Sequence, residues 1–322
     1  MIQVQKDNVR NEIGRHVRSG RSLFVFLFIC SVGFVLTGAS FAQTSTEVQN
    51  AIPASVALRL QQQIATGSSE VKRSALSEIR NLRNASASRL ALPALRDKEP
   101  IVRATAAGSV VFLPTSEASA ALITLLDDRI EFVRREAAYA LGDSPNSAAT
   151  APLIRLMQSD KILEVRTAAA VALGKIGDVS AIESLSAILK TRPREDDEFL
   201  RRSAARSIGQ IAQISVTGNP SVLTPQNFLP EKFKDLGSSD ATGAIPAIFT
   251  RAVDVLLDVL RNKNESDDTR RESAFSLGAI GDNRSIPTLQ TYVTDADPYL
   301  AEICKEALLK IDRRNRAAGH VD

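Results

Sequence analysis

Basic side chains recur at regular intervals in this sequence and are the first candidates for chemistry. Five arginines form this series: Arg103, Arg134, Arg166, Arg201 and Arg270. An acidic residue often precedes them by six positions, as Asp97 precedes Arg103. A row of guanidinium groups on one surface would bind phosphates or carboxylates, so the series indicates either an anion-binding stripe or a structural role inside a repeating unit.

Other residue types that could carry catalysis are scarce. His16 and His320 are the only histidines, and Cys30 and Cys304 the only cysteines. The sequence contains no G-x-S-x-G, G-x-x-x-x-G-K-[ST] or G-x-G-x-x-G motif. Nucleophile pairs that need a histidine are therefore excluded from the central part of the chain. We predict from these gaps that the protein is not an enzyme and holds no metal or cofactor.

Residues 1–42 have the pattern of a secretory signal peptide. A basic stretch precedes an uncharged apolar run over residues 23–36, and small residues precede a cleavage point after Ala42. The apolar run is shorter than the roughly 20 residues that comfortably span a bilayer. We therefore predict an exported protein, in the periplasm or outside the cell, with no membrane insertion after cleavage. The alternative is an uncleaved signal that anchors the chain.

The charge balance argues against a nucleic-acid partner. Residues 1–42 hold five of the 40 Lys and Arg and two of the 37 Asp and Glu, which leaves 35 charges of each sign. Proteins that bind nucleic acid through phosphates carry a basic surplus. Residues 43–322 have none, so we predict a protein partner instead.

The elements that position these side chains follow from an internal repeat. Seven positions align, at Val71, Val102, Val133, Val165, Leu200, Thr269 and Leu300. The steps between them are 31, 31, 32, 35, 69 and 31 residues. Four residues after each aligned position the side chain is small: Ala75, Ala106, Ala137, Ala169, Ala204, Ser273 and Cys304. Such a period indicates stacked supersecondary units.

Each unit is predicted to be a pair of antiparallel helices. After Val165, apolar and small residues recur at helical spacing until Gly177, which favours a helix end. Ser180 and Glu183 have the spacing of a capping box and predict the start of the second helix. The small residues let neighbouring helices approach closely, and stacking buries a continuous core. Cys304 occupies one of these small positions, which predicts a buried, unreactive thiol.

This repeat resembles the HEAT repeat, in the short form found in phycobilisome lyases and many bacterial proteins. The resemblance spans roughly residues 66–312. It implies an all-α fold, a right-handed α-solenoid of about seven HEAT-like helix pairs. It also implies that the acidic and arginine side chains cap helices and pair between units. Residues 43–322 would form this solenoid, with a polar tail over residues 313–322.

The 69-residue step contains an insertion over about residues 214–245. It is rich in Gly, Pro, Ser and Thr, and includes an amphipathic stretch with Phe228, Lys232, Phe233 and Lys234. Either these rings fold back onto the solenoid edge, or the stretch contacts a partner. The other candidate surface is the concave side lined by second helices, at Thr124, Arg155, Gln158, Ser186 and Lys190.

We therefore predict an exported protein–protein interaction module or scaffold that binds through its helical-repeat surface. Two alternatives remain at this stage. One is a structural envelope component anchored by the uncleaved signal segment. The other, suggested by the family resemblance alone, is a lyase-like or chaperone-like factor. Partner-binding residues are predicted to be Phe228, Lys232, Phe233, Lys234, Arg155 and Lys190.

Overall fold

The computed structural model describes residues 52–218, 225–229 and 246–318, and this part of the chain contains helices and no β-strand. Its α-helices are α1 (Ala54–Thr66), α2 (Ser69–Leu82), α3 (Ala85–Leu90), α4 (Pro100–Ser109), α5 (Thr115–Ile123), α6 (Glu131–Asp143), α7 (Thr150–Ser159), α8 (Leu163–Ile176), α9 (Ile182–Lys190), α10 (Glu198–Thr217), α11 (Phe249–Arg261), α12 (Asp267–Ile280), α13 (Ile286–Thr291) and α14 (Pro298–Ala318). The predicted all-α repeat fold is confirmed. The predicted signal segment, residues 1–42, lies outside the described ranges.

The helices form two layers along the chain. The even-numbered helices from α2 to α14 contain the aligned positions, and each contacts the next one in the series. We call these the first helices and the odd-numbered helices from α3 to α13 the second helices. The second helices α7, α9, α11 and α13 each pack on the first helix that follows. Helix α1, which the repeat alignment does not include, packs on α2.

Small residues allow the first helices to approach closely. All seven side chains four residues after the aligned positions are buried. Glycine provides a second close contact nine residues after the aligned position. A Cβ added to Gly142 would lie 3.0 Å from the Cα of Ala172 on the next first helix, and one on Gly209 would lie 2.9 Å from the Cα of Ser276. Neither position leaves room for a side chain.

Serine hydroxyls add hydrogen bonds between these helices. Seven residues after the aligned position, Ser207 Oγ donates to the carbonyl of Ala170 on the preceding first helix, at 2.9 Å. Ser276 Oγ donates to the carbonyl of Ala205 at 2.8 Å. Because the hydroxyl reaches the backbone of the neighbouring helix, the contact sets the offset between consecutive units as well as their distance.

The turns inside the units follow the sequence signals in part. Gly177 and Gly281 adopt φ values of 77° and 78° and end their helices, as the sequence predicts. The predicted capping box is wrong, because helix α9 begins at Ile182, after a 3-10 turn over Val179–Ala181. The side chain of Asp178 caps that turn by accepting a hydrogen bond from Ser180 N at 2.9 Å.

The insertion interrupts the connection between α10 and α11. Helix α10 ends at Thr217 and is followed by Gly218, whose φ is 66°. Of the predicted stretch 214–245, the structure describes residues 214–218 as helix and loop, and residues 225–229 around a 3-10 turn, Gln226–Phe228. Helix α14 continues to Ala318, so residues 313–318 of the predicted polar tail are helical.

Candidate functional site

Arg103, Arg134 and Arg201 of the basic series each pair with an acidic residue further along the chain, whereas Arg166 and Arg270 donate to the backbone carbonyls of Met157 and Leu260. Arg103 Nε lies 2.7 Å from Asp128 Oδ2, and Arg134 Nε lies 2.6 Å from Asp160 Oδ2. Each aspartate also accepts a backbone hydrogen bond in its own loop, as Asp128 Oδ1 does from Ile130 N at 2.9 Å. These guanidinium groups are held inside the layer by intramolecular partners, so the series is structural and forms no open anion-binding stripe.

The electrostatics of these pairs favour the charged state. Partial burial acts to raise the pKa of Asp128, but hydrogen bonds from Arg103 and from the backbone outweigh it and hold that pKa below its usual range. The same balance, with Arg134 as the donor, lowers the pKa of Asp160. The hydrogen bond to Asp128 raises the pKa of Arg103.

A different surface offers groups that face solvent. Among the described residues, large aromatic side chains are most exposed at Phe199 (61%), Tyr299 (57%) and Phe228 (43%). Phe199 and Tyr299 each directly precede an aligned position, at the start of α10 and α14. Phe228 belongs to the insertion, whose 3-10 turn contacts α14. Phe228 and Tyr299, which are far apart in the sequence, therefore lie side by side in the structure.

Arginine and aspartate side chains connect the three rings. The Arg202 guanidinium lies 5.0 Å from the Phe199 ring centroid, and its Nη1 lies 2.8 Å from Asp268 Oδ2. Asp268 Oδ1 in turn lies 2.8 Å from Arg271 Nη1. The Arg271 guanidinium lies 5.2 Å from the Tyr299 ring centroid. This contact chain crosses three successive first helices, α10, α12 and α14.

The insertion completes this surface. The rings of Phe228 and Tyr299 pack with centroids 5.6 Å apart and planes inclined by 43°. Arg271 Nε also pairs with Asp297 Oδ2 at 2.8 Å, which fixes the guanidinium beside the rings. We call the set Phe199, Arg202, Phe228, Asp268, Arg271 and Tyr299 the aromatic–arginine patch.

A cavity of about 260 Å³ lies within the patch. Its inner wall includes Glu272, Phe275 and Ile303. Glu272 Oε1 lies 2.9 Å from Arg206 Nη1, yet burial outweighs this pairing and raises the pKa of the carboxyl. The cavity therefore combines an apolar wall, aromatic edges and fixed charges, which is suited to binding one side chain of a partner.

The predicted site residues divide between two layers. Phe228 lies in the patch, half exposed. Arg155 and Lys190 are exposed on the second helices α7 and α9, so the structure does not bring them to Phe228. Lys190 Nζ pairs with Glu183 Oε1 at 3.2 Å. Lys232, Phe233 and Lys234 lie outside the described residues.

The prediction of the second-helix surface is wrong for one residue. Thr124 and Gln158 are exposed there, but Ser186 is 1% exposed and points into the core. Sequence reasoning also missed Phe199, Arg202, Arg271 and Tyr299, although an aromatic residue directly before an aligned position marked two of them.

Two further features of the described residues bear on function. No helix there is both long and apolar enough to cross a membrane. Cys304 is fully buried, as its small repeat position predicts, and burial raises the pKa of its thiol to about 12. A thiol in this state is neutral at physiological pH and a poor nucleophile.

The stacked helix pairs have direct counterparts in a known family. The family model for HEAT repeats matches residues 57–142 and 131–209. The model described as PBS lyase HEAT-like repeat matches residues 269–295. The chain is a HEAT-repeat protein. The matches stop on either side of the insertion, so the insertion is an addition to the HEAT repeats and not one of them.

Individual relatives of this HEAT-repeat protein cover only part of it. Bovine (Bos taurus) deoxyhypusine hydroxylase is 40% identical over 69 residues, which is 21% of this chain and 23% of the enzyme. The chain thus matches less than a quarter of the length of that relative. A structure of human deoxyhypusine hydroxylase with glycerol has a TM-score of 0.36 and 18% identity, covering 84% of this chain and 89% of that chain.

A structure of the CpcE–CpcF complex of phycocyanin lyase from Nostoc sp. PCC7120 has a TM-score of 0.44 and 19% identity, covering 85% of this chain and 97% of that chain. The prediction that the protein is not an enzyme is contradicted, because its matching curated relatives are named deoxyhypusine hydroxylase. That prediction rested on missing catalytic motifs. The motifs were those of other folds, and a helical repeat can carry chemistry without any of them.

Proposed function

We propose that this HEAT-repeat protein is a scaffold that binds another protein through the aromatic–arginine patch. The exposure of Phe199, Phe228 and Tyr299 on one surface is the observation that supports this most directly. Aromatic and arginine side chains dominate the binding energy of protein interfaces, and they act best when clustered. Rings that served only the packing of the monomer would be buried, whereas these three are exposed.

The patch is also held in place before any partner arrives. Arg271 is fixed by ion pairs to Asp268 and Asp297, both at 2.8 Å, while its guanidinium faces the Tyr299 ring. A side chain that is already ordered loses less conformational entropy on binding. The rigid first helices of three units therefore present the rings at fixed spacing, and the insertion adds the third ring.

Export is part of the same proposal and is supported by the pattern of residues 1–42. N-terminal sequencing of the protein from its native cell tests it, together with fractionation of the envelope. We expect the mature chain to begin at Gln43 and to be released with the soluble envelope fraction. A chain that keeps residues 1–42 and sediments with membranes would instead support the anchored alternative.

Site-specific crosslinking tests the patch. A photo-crosslinking amino acid is placed at Phe199 and, as a matched control, at Leu58, which is 67% exposed on α1. We expect one protein to crosslink from position 199 and not from position 58. The double variant Phe199→Ser and Tyr299→Ser should lose that partner in a pull-down, whereas Leu58→Ser should keep it.

Both variant sites are exposed, so melting temperatures close to that of the wild type are expected and serve as the folding control. Recovery of the same partner by the double variant would assign binding to another surface. A partner retained by the patch variant but lost from an Arg155→Glu and Lys190→Glu variant would place binding on the second helices.

A further inference from the structure

A second cleft lies on the first-helix layer, among α2, α4 and α6. Its volume is about 770 Å³. The floor is formed by small residues of α4, among them Thr105 and Gly108. The walls carry Ile101 and Phe132, with Arg80 and Arg135 on opposite sides. Ile101 is 39% exposed, so apolar surface is open to solvent here.

This cleft occupies the same place in the repeat as the cavity in the aromatic–arginine patch. Phe132 directly precedes an aligned position, as Tyr299 does, and each ring stands at one edge of its cleft. Gly108 lies six residues after its aligned position, where the other cavity has Phe275. The absence of a side chain at position 108 makes the α4 cleft the larger of the two.

The aromatic–arginine patch shows what kind of group packs at such a place. In the patch, the insertion sets the Phe228 ring against Tyr299, with centroids 5.6 Å apart. No segment of the described residues lies on Phe132 in that way: the residues that line the α4 cleft come from α2, α4 and α6 alone. Phe132, which is partly buried against the core, thus meets no second ring among the described residues, whereas Tyr299 meets Phe228.

The charges around the α4 cleft are not neutralised as they are in the patch. The Arg80 guanidinium extends over Gly108, whose added Cβ would lie 3.0 Å from Nη1. Within the part of the chain that the structure describes, Arg80 makes no ion pair. Among the described residues Arg135 pairs only with its neighbour Glu136, which also lines the cleft, at 3.2 Å and with both side chains about 40% exposed. Such an exposed ion pair contributes little to stability, so Arg135 can readily exchange Glu136 for another carboxylate.

We infer that the α4 cleft is a separate binding site for a short acidic peptide that carries an aromatic side chain. The aromatic ring packs on Phe132 above Gly108, as Phe228 packs on Tyr299. The peptide's carboxylates pair with Arg80 and Arg135 on the two sides. This site is distinct from the one in the proposed function, because the two clefts share no residue.

Fluorescence anisotropy with labelled peptides tests the inference on the full chain. The probe is an eight-residue peptide of Asp and Glu with one central Phe. A peptide with Ala at the centre and one with Lys in place of the acids are its controls. We expect saturable binding of the probe that weakens as salt is raised. The Ala and Lys peptides should each bind at least about tenfold more weakly, which corresponds to about 1.4 kcal/mol.

Variants then assign the binding to the α4 cleft. Arg80→Glu with Arg135→Glu should weaken binding of the acidic probe by at least about tenfold and improve binding of the Lys peptide. Gly108→Phe, which imitates Phe275 of the other cleft, should block the probe by filling the floor. The Phe199→Ser and Tyr299→Ser variant should bind the probe as the wild type does, which separates this site from the patch.

The inference is overturned if the wild type shows no saturable binding at millimolar peptide, or if the Phe and Ala peptides bind equally. It is also overturned if charge reversal leaves folded protein with unchanged affinity. Sedimentation tests the remaining occupant, a second copy of the chain: a concentration-dependent dimer that Gly108→Phe abolishes would show that the cleft is a self-association surface and not a peptide site.

Discussion

Arg201 and Glu265 form a fully buried ion pair, although 64 residues separate them. Each side chain is 1% exposed, and Arg201 Nε lies 3.0 Å from Glu265 Oε1. Arg201 also donates to the carbonyls of Ile188, Leu189 and Thr191 at the end of α9. The pair links α9 and α10 to the loop before α12, and so closes the repeat that the insertion interrupts.

Removing one partner of this pair should destabilise the fold. Glu265→Ala leaves a buried guanidinium without its counter-charge, which costs about 3–5 kcal/mol. The matched control is Glu78→Ala, whose exposed pair with Arg59 (side chains 41% and 46% exposed) should cost less than about 1 kcal/mol. Urea unfolding followed by circular dichroism measures both. Equal losses in the two variants would contradict the structural role of the buried pair.

Glycine positions on the first helices should differ sharply in how well they tolerate substitution by alanine. A Cβ at Gly174 would lie 2.5 Å from Ser207 Oγ and 3.0 Å from its Cα, so Gly174→Ala should cost about 1–3 kcal/mol. At Gly108 the nearest atom is the flexible end of Arg80, at 3.0 Å. Gly108→Ala should therefore leave stability unchanged or raise it by up to about 1 kcal/mol. Thermal melts that rank the two variants in the opposite order would refute the close packing.

The paired aspartates should make stability fall in acid. The pKa values of Asp97, Asp128 and Asp160 are lowered in the folded state. A lowered folded pKa contributes stability that is complete above the unfolded value, about 3.9, and is lost as the pH falls through the folded value. Asp128→Asn should thus reduce stability at neutral pH and flatten its loss below about pH 4.

Urea midpoints measured between about pH 7 and 3 give that comparison. Asp196→Asn is the control, since the side chain is 76% exposed and belongs to no pair between units. If the urea midpoint of Asp128→Asn fell with decreasing pH as steeply as that of the wild type, other carboxylates would control acid unfolding.

Cys304 should report unfolding. Its thiol is fully buried and burial raises its pKa to about 12, so both access and thiolate formation are suppressed. In the chain that begins at Gln43, which lacks Cys30, we expect no reaction with Ellman's reagent at pH 8 in the folded protein and complete reaction in urea. An exposed cysteine placed on α9 by Ala187→Cys should react at once in the folded state. Rapid reaction of folded Cys304 would place it at the surface.

Much of the fold could be predicted because small residues recur in the sequence wherever neighbouring helices pack closely. Ala137, Ala169 and Ala204 are small in the sequence, and each is fully buried between helices. Gly177 and Gly281 end helices with a positive φ, which few other residues adopt at low cost. The start of α9 was mispredicted because Asp178 and Ser180 both have capping side chains, and only the backbone geometry decides which one is used.

The candidate site was predicted less well, because its members come from three units and an insertion. Phe228 was found through its unusual surroundings in the sequence. Tyr299 and Arg271 were not found, since an aromatic or basic residue at a helix start is unremarkable until its neighbours are known. The prediction that the protein is not an enzyme was also wrong. It rested on missing motifs, and relatives that share the repeat contradicted it.

The sequence by itself determined that the chain folds as stacked helix pairs, and it located their turns, because periodicity, side-chain size and glycine act over a few residues or between adjacent units. Only the tertiary structure decided which exposed side chains meet. Phe228 meets Tyr299 because the insertion returns to α14. Phe199 is linked to these rings through Arg202, Asp268 and Arg271 because successive first helices lie side by side. Contacts of that kind depend on the spacing of helices in space, which no local pattern of residues encodes.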